Sequence, residues 1–166
     1  MLSRLDKFEA IAHALARLPQ QVPAPSVEAP PSAEAPVDPF DRRNIHPDLP
    51  DKVRELFDDG HYPEATSLAF KHLEKKVQKH SGLTGKTGEA LMMDAFDGNK
   101  IKLNAQMTLS EKDEQAGYRF IFAGGTRGIR NPRAHEPTIV DDPDICLDHL
   151  SFVSLLLRRL EQAGYK

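Results

Sequence analysis

A chain of 166 residues is long enough for one domain with a real core and too short for two full ones. Its 39% apolar and 28% charged content is that of an ordinary soluble protein, and a net charge of −3 excludes a globally basic nucleic-acid binder. A single cysteine, Cys146, excludes an internal disulfide, and no apolar run approaches the roughly 18 residues needed to span a bilayer.

In chain order, LSRLDKFEAIAHALARL spaces Leu5, Phe8, Ala12, Leu15 and Leu18 at helical intervals, which predicts a short amphipathic helix over 1–18. Asp6 and Glu9 interrupt it and no small-residue cleavage site follows, so a secretory signal is not expected and a cytoplasmic location is. So short a helix is marginal alone and should dock on its own domain, a second copy or a partner. Seven of the 13 prolines fall between Pro19 and Pro39, so residues 19–41 read as an extended, disordered Pro/Ala-rich linker. A proline-rich ligand for a recognition module is disfavoured there, because the positively charged flank such ligands often carry is missing.

The globular domain is expected over 42–166, and its periodicity is helical throughout. HPDLPDKVRELFDDG carries Val53, Leu56 and Phe57 and stops at Gly60, a C′ glycine. YPEATSLAFKHLEKKVQKHSG starts with Pro63 and puts Ala65, Leu68, Ala69, Leu73 and Val77 on one face. TGKTGEALMMDAF predicts a shorter helix, and GNKIKLNAQMTL a loop. Ser110, with Asp113 and Glu114 behind it, is expected to open a helix running to about Arg130. The last segment aligns Cys146, Leu150, Val153, Leu157 and Leu160. Four or five helices with short loops and no strand pattern make an all-α bundle.

Most chemical motifs are absent. GLTGKTG, residues 82–88, ends like a phosphate-binding loop but has His80 where that loop needs glycine, and it follows a helix rather than a strand. The seven histidines are scattered without metal-ligand spacing, so neither a metal nor a cofactor is expected, and His72 and His80 should lie at a helix surface. Cys146, on an apolar stripe, is expected to be buried rather than reactive, and no nucleophile elbow is present.

What remains is RGIRNPRAHE, residues 127–136. No acidic residue lies between Gln115 and His135, while Arg119, Arg127, Arg130 and Arg133 do. Such a spot can hold one or two phosphates, though a solvated arginine face balanced by the DDPD that follows reads as well from charge alone. On an unbroken helix Arg130 and His135 would lie about 140° apart. Pro132 disfavours helix at Asn131 and removes an amide, so the helix is expected to end near Arg130, with Asn131 capping a separate turn that angles His135 back toward it. Just upstream, Gly124, Gly125 and Gly128 imply close approach of another backbone, either a helix of the same bundle or the same helix of a second subunit.

The spacing R-N-x-x-x-H over Arg130, Asn131 and His135, after a helix in an all-α domain, resembles the motif of the HEPN superfamily. The string GIRNPRAHE, with DGHYPEATSLAFKHLEKKV and LSFVSLLLRRL, is similar to the Ymh-like family within it, over roughly residues 45–163. The resemblance implies a HEPN-like bundle and a metal-independent endoribonuclease acting as a homodimer, in which two motifs share one cleft, often as a toxin or phage-defence effector. Arg130, Asn131 and His135 would then be catalytic and Arg127 and Arg133 RNA-binding. His135 would move protons at the 2′-hydroxyl and the leaving 5′-oxygen, and Arg130 would hold the charge developing on phosphorus. The alternative is a non-catalytic domain that binds RNA or nucleotides or assembles with another protein. Residues 1–40 would capture a partner or sensor protein in either case.

Overall fold

The computed structural model describes residues 37–166 apart from 99 and 137. The helix expected over 1–18 and the linker up to residue 36 lie outside the described residues. Residues 37–41, which composition groups with the linker, belong to the folded unit, which starts at Val37. There Pro39–Arg42 forms a single turn, α1, closed by the Asp38 carboxylate accepting from the Phe40 amide at 2.8 Å. Phe40 packs obliquely on Phe57 with ring centres 5.4 Å apart, and the Arg54 guanidinium lies over the Phe40 ring at 4.6 Å.

The described residues form an all-helical bundle. After α1 come α2 (Asp51–Asp58), α3 (Tyr62–Ser81), α4 (Gly88–Ala95), α5 (Leu109–Gly125), a π-helical turn (Thr126–Arg130), α6 (Asn131–His135) and α7 (Pro143–Gln162). The 20-residue α3 is the axis of the bundle: α2, α4, α6 and α7 all pack on it, and α5 lies against α4. Its predicted apolar stripe is the buried face, with Ala65, Ala69, Leu73 and Val77 fully buried, and the stripe of α7 from Cys146 to Leu160 meets it. Gly60 and Gly82 end α2 and α3 with φ of 78° and 72°, a left-handed geometry that glycine adopts without strain. None of these helices is long and apolar enough to cross a membrane.

The segment between α4 and α5 is the expected loop, yet it is anchored. Ile101 and Leu103 are buried, and the buried Gln115 amide satisfies three backbone groups around them: it accepts from the Leu103 amide at 2.9 Å and donates to the Phe96 and Ile101 carbonyls at 3.0 and 2.9 Å. α5 starts one residue before the expected Ser110. Thr108 is its cap, accepting from the Glu111 amide at 3.2 Å while Glu111 reaches back to the Thr108 amide at 2.9 Å. This reciprocal capping box satisfies two amide donors at the helix start, where Ser110 could satisfy only one.

The glycine run divides into two kinds of position. A Cβ on Gly125 would stand 2.6 Å from a ring carbon of Phe152, which is wedged beside Phe70, so this glycine marks a helix crossing within the bundle. Gly124 and Gly128 are exposed, and a Cβ on either meets nothing within 4 Å. Gly124→Ala is therefore expected to stabilise the fold by about 0.5–1 kcal/mol through helix propensity. Gly125→Ala should destabilise it by about 1–3 kcal/mol through overpacking, so thermal melts of the two variants should shift in opposite directions.

Candidate functional site

The proline in RNPRAH does not end the helix. Asn131 keeps helical geometry at φ −61° and ψ −46°, and its amide donates to Thr126 five residues back. The expected break at Asn131 is thus replaced by a π turn. The reason is steric: a proline ring in a regular helix collides with the carbonyl four residues earlier, here that of Gly128, and the wider turn carries that carbonyl aside. Regular bonding then resumes, with the Glu136 amide donating to the Pro132 carbonyl at 2.8 Å. Consequently Asn131 caps nothing. Its side-chain oxygen accepts from the Arg130 guanidinium at 3.2 Å, so the two adjacent motif residues brace each other.

Arg130 and His135 remain on one continuous helical path and present differently. Arg130 is half-buried against α3, while His135 is exposed on α6. Two cavities share Arg130 and Lys71 as common walls. One, of about 330 Å³, is bordered by Ser67, Leu68 and Glu64 of α3 and by Arg133 and Ala134 of α6. The other, of about 260 Å³, adds Glu74, Lys75 and Gln78 of α3 and Thr87 at the start of α4. His135 borders neither of these two cavities within one chain.

The polar bonding of Arg130 is incomplete. Its guanidinium stands 3.8 Å from the Glu74 carboxylate, too far for a good hydrogen bond, and both Arg130 Nε and Glu74 Oε2 are buried with no hydrogen-bond partner among the described residues. The other Glu74 oxygen accepts from the Gly88 amide at 3.1 Å, tying α3 to the start of α4. A charged group so confined and so weakly paired is costly, and an incoming anion on Arg130 would relieve that cost. Glu74 was not among the residues singled out above, although a carboxylate between Phe70, Leu73 and Val77 on a buried helical face is a signal in itself.

The remaining arginines are held in different ways. Arg133 forms a bidentate pair with Asp141, at 2.5 and 2.7 Å, and donates to the Ile129 carbonyl at 3.0 Å, with side-chain exposures of only 13% and 4% for the pair. Arg127 is 72% exposed and pairs with Glu89 at 3.1 Å. Arg119 pairs with Asp97, away from the cavities. Asp141 answers the bland charge-balance expectation in part: one residue of the acidic run neutralises one arginine of the motif.

Near this pair, burial holds the His149 imidazole below its ordinary pKa, and the charge of Arg133 acts in the same direction. Burial also pushes the Cys146 thiol up to about 11, so it stays protonated and unreactive at neutral pH. His72 is half-buried and bonds Asp48 at 2.9 Å, and His80 packs on Tyr165 with ring centres 5.3 Å apart. Both are structural contacts at the edge of α3 rather than free surface residues.

No curated protein and no solved structure matches the chain. The family model described as "Protein of unknown function (Hypoth_ymh)" matches residues 43–160, which run from before α2 into the last turn of α7 and include the whole Arg130–His135 segment, and the chain belongs to that family.

Proposed function

We propose that the protein is a metal-independent endoribonuclease that cleaves single-stranded RNA through attack of the 2′-hydroxyl, in a cleft shared by two copies of the chain. The observation that carries this reading is Arg130: a half-buried, under-bonded cation on the wall between two cavities, five residues from an exposed histidine. The fixed guanidinium would bind the phosphate and stabilise the charge developing on it, and a histidine would take and return protons. Asn131, bonded to Arg130, would hold the guanidinium in place. Arg127 would add charge at the rim.

A second copy supplies what one chain lacks, a histidine directed at the cavities. Phe120 and Ile121 of α5 and Leu155 of α7 are large exposed apolar side chains. Arg159 covers the Tyr118 ring and Phe152 touches Gly125, so α5 and α7 run antiparallel and place Ile121 and Leu155 on neighbouring turns. Gly124, Arg127, Gly128 and His135, further along the same helical path, are exposed as well. A cytoplasmic toxin or phage-defence effector, coupled to a partner protein through residues 1–40, is the biological setting proposed for such an activity.

The test joins assembly to cutting. The wild type is expected to sediment as a dimer and to cut single-stranded RNA in EDTA, whereas Phe120→Glu should be a folded monomer without activity. A monomeric wild type that cuts RNA overturns the shared cleft. The exposure of His135 away from the cavities in one chain favours a second reading, a non-catalytic RNA- or nucleotide-binding domain. It predicts salt-sensitive RNA binding and no cleavage.

A further inference from the structure

The two cavities lie along a single face of α3. Ser67, Lys71, Lys75 and Gln78 recur at helical spacing on it, with Lys71 shared by both cavities. The lysines of α3 are not alike. Lys76 is paired with Asp48 at 2.7 Å and Lys79 reaches the Lys166 carbonyl at 3.4 Å. Lys71 and Lys75 are exposed and have no ion-pair partner among the described residues. Three cations, Lys71, Lys75 and Arg130, border the cavities against two carboxylates, Glu64 and Glu74, while Arg133 at the wall of the larger one is neutralised by Asp141.

We propose that α3 is the strand track of the site: the phosphate to be cleaved sits at Arg130, and Lys71 and Lys75 hold neighbouring phosphates of the same RNA strand. This deepens the ribonuclease reading and rests on it for the place of the cleaved phosphate. Lys71 and Lys75 are one helical turn apart, a rise of about 6 Å, comparable to the spacing of successive phosphates on an extended single strand. Cavities of about 330 and 260 Å³ sit at and just below the lower end of ligand pockets and suit one nucleotide each rather than a duplex. Leu68 offers an apolar wall to a base in the larger one, and Thr87, whose side chain makes no capping bond, offers a free hydroxyl in the smaller. The track therefore selects for unpaired RNA.

The test measures binding apart from cutting. In the His135→Ala background, a fluorescent single-stranded RNA is titrated by anisotropy at several salt concentrations, and the same is done after adding Lys71→Ala and Lys75→Ala. The double lysine variant should bind at least tenfold more weakly, and its log K against log salt should flatten by about 1.4, at about 0.7 per lost phosphate contact on a single strand. Lys112→Ala, exposed on α5 and outside both cavities, should change neither. Unchanged affinity and slope in the double variant, with its melting temperature intact, overturn the track while leaving the ribonuclease reading in place if the wild type cuts. Loss of binding without any cutting by the wild type keeps the track and removes the ribonuclease reading. An RNA that the parent does not bind, when the wild type does not bind it either, overturns the track, and cutting by the wild type decides the ribonuclease reading separately.

Discussion

His135→Ala is expected to lower RNA cutting by about 10²–10⁴-fold, the range that a positioned proton-transfer group contributes. The side chain is exposed, so its removal should leave the melting temperature near that of the wild type. Arg130→Ala should lose about 10²–10³-fold, as when one donor to a developing negative charge is deleted. Arg130→Lys should recover little of this, because an ammonium cannot reproduce the forked donors that meet both Asn131 and a phosphate. Loss of activity in both alanine variants accompanied by unfolding would speak for a structural role instead, and far-ultraviolet circular dichroism separates the two.

The largest effect on stability is expected at Asp141. Removing this carboxylate leaves Arg133 confined against Ile129 with its charge uncompensated, which costs about 3–5 kcal/mol for a buried pair. Asp141→Ala should therefore lower the urea midpoint sharply, and Arg133→Ala should do much the same by stranding Asp141. Replacing both by apolar side chains of similar volume should be far milder, since neither charge is then left unpaired. If Arg133 serves RNA rather than the fold, Arg133→Ala will instead reduce RNA affinity with a near-normal urea midpoint. These two profiles cannot be confused.

The long elements were legible because their chemistry is local and periodic. Leu73 and Val77 on α3, and Leu150, Val153 and Leu157 on α7, repeat at helical spacing, and all are buried. Gly60 and Gly82 marked helix ends because few other residues adopt their positive φ. The cap of α5 was expected at Ser110 and lies at Thr108: both are good caps by residue type, and the T-x-x-E of Thr108 and Glu111, whose reciprocal bonds decide between them, was the signal passed over.

The joint at Pro132 was not legible, because proline has two outcomes with one sequence signature. It can end a helix, or the helix can widen ahead of it, and the exposed, uncrowded backbone at Gly128 permits the second. The surroundings of Arg130 come from other helices altogether. Lys71, Glu74 and Lys75 lie more than fifty positions earlier, and nothing in RGIRNPRAHE names them. The same holds for the Arg133–Asp141 pair, which depends on how the chain returns from α6 to α7. Motif residues could be read one by one, whereas their partners are set by tertiary packing.

The central claim is the reaction, and the products of RNA cleavage test it most directly. In EDTA, wild-type protein should convert single-stranded RNA into fragments ending in 2′,3′-cyclic phosphate with matching 5′-hydroxyl ends, and His135→Ala should produce none. Fragments with 5′-phosphate ends, or equal cutting by His135→Ala, would contradict it.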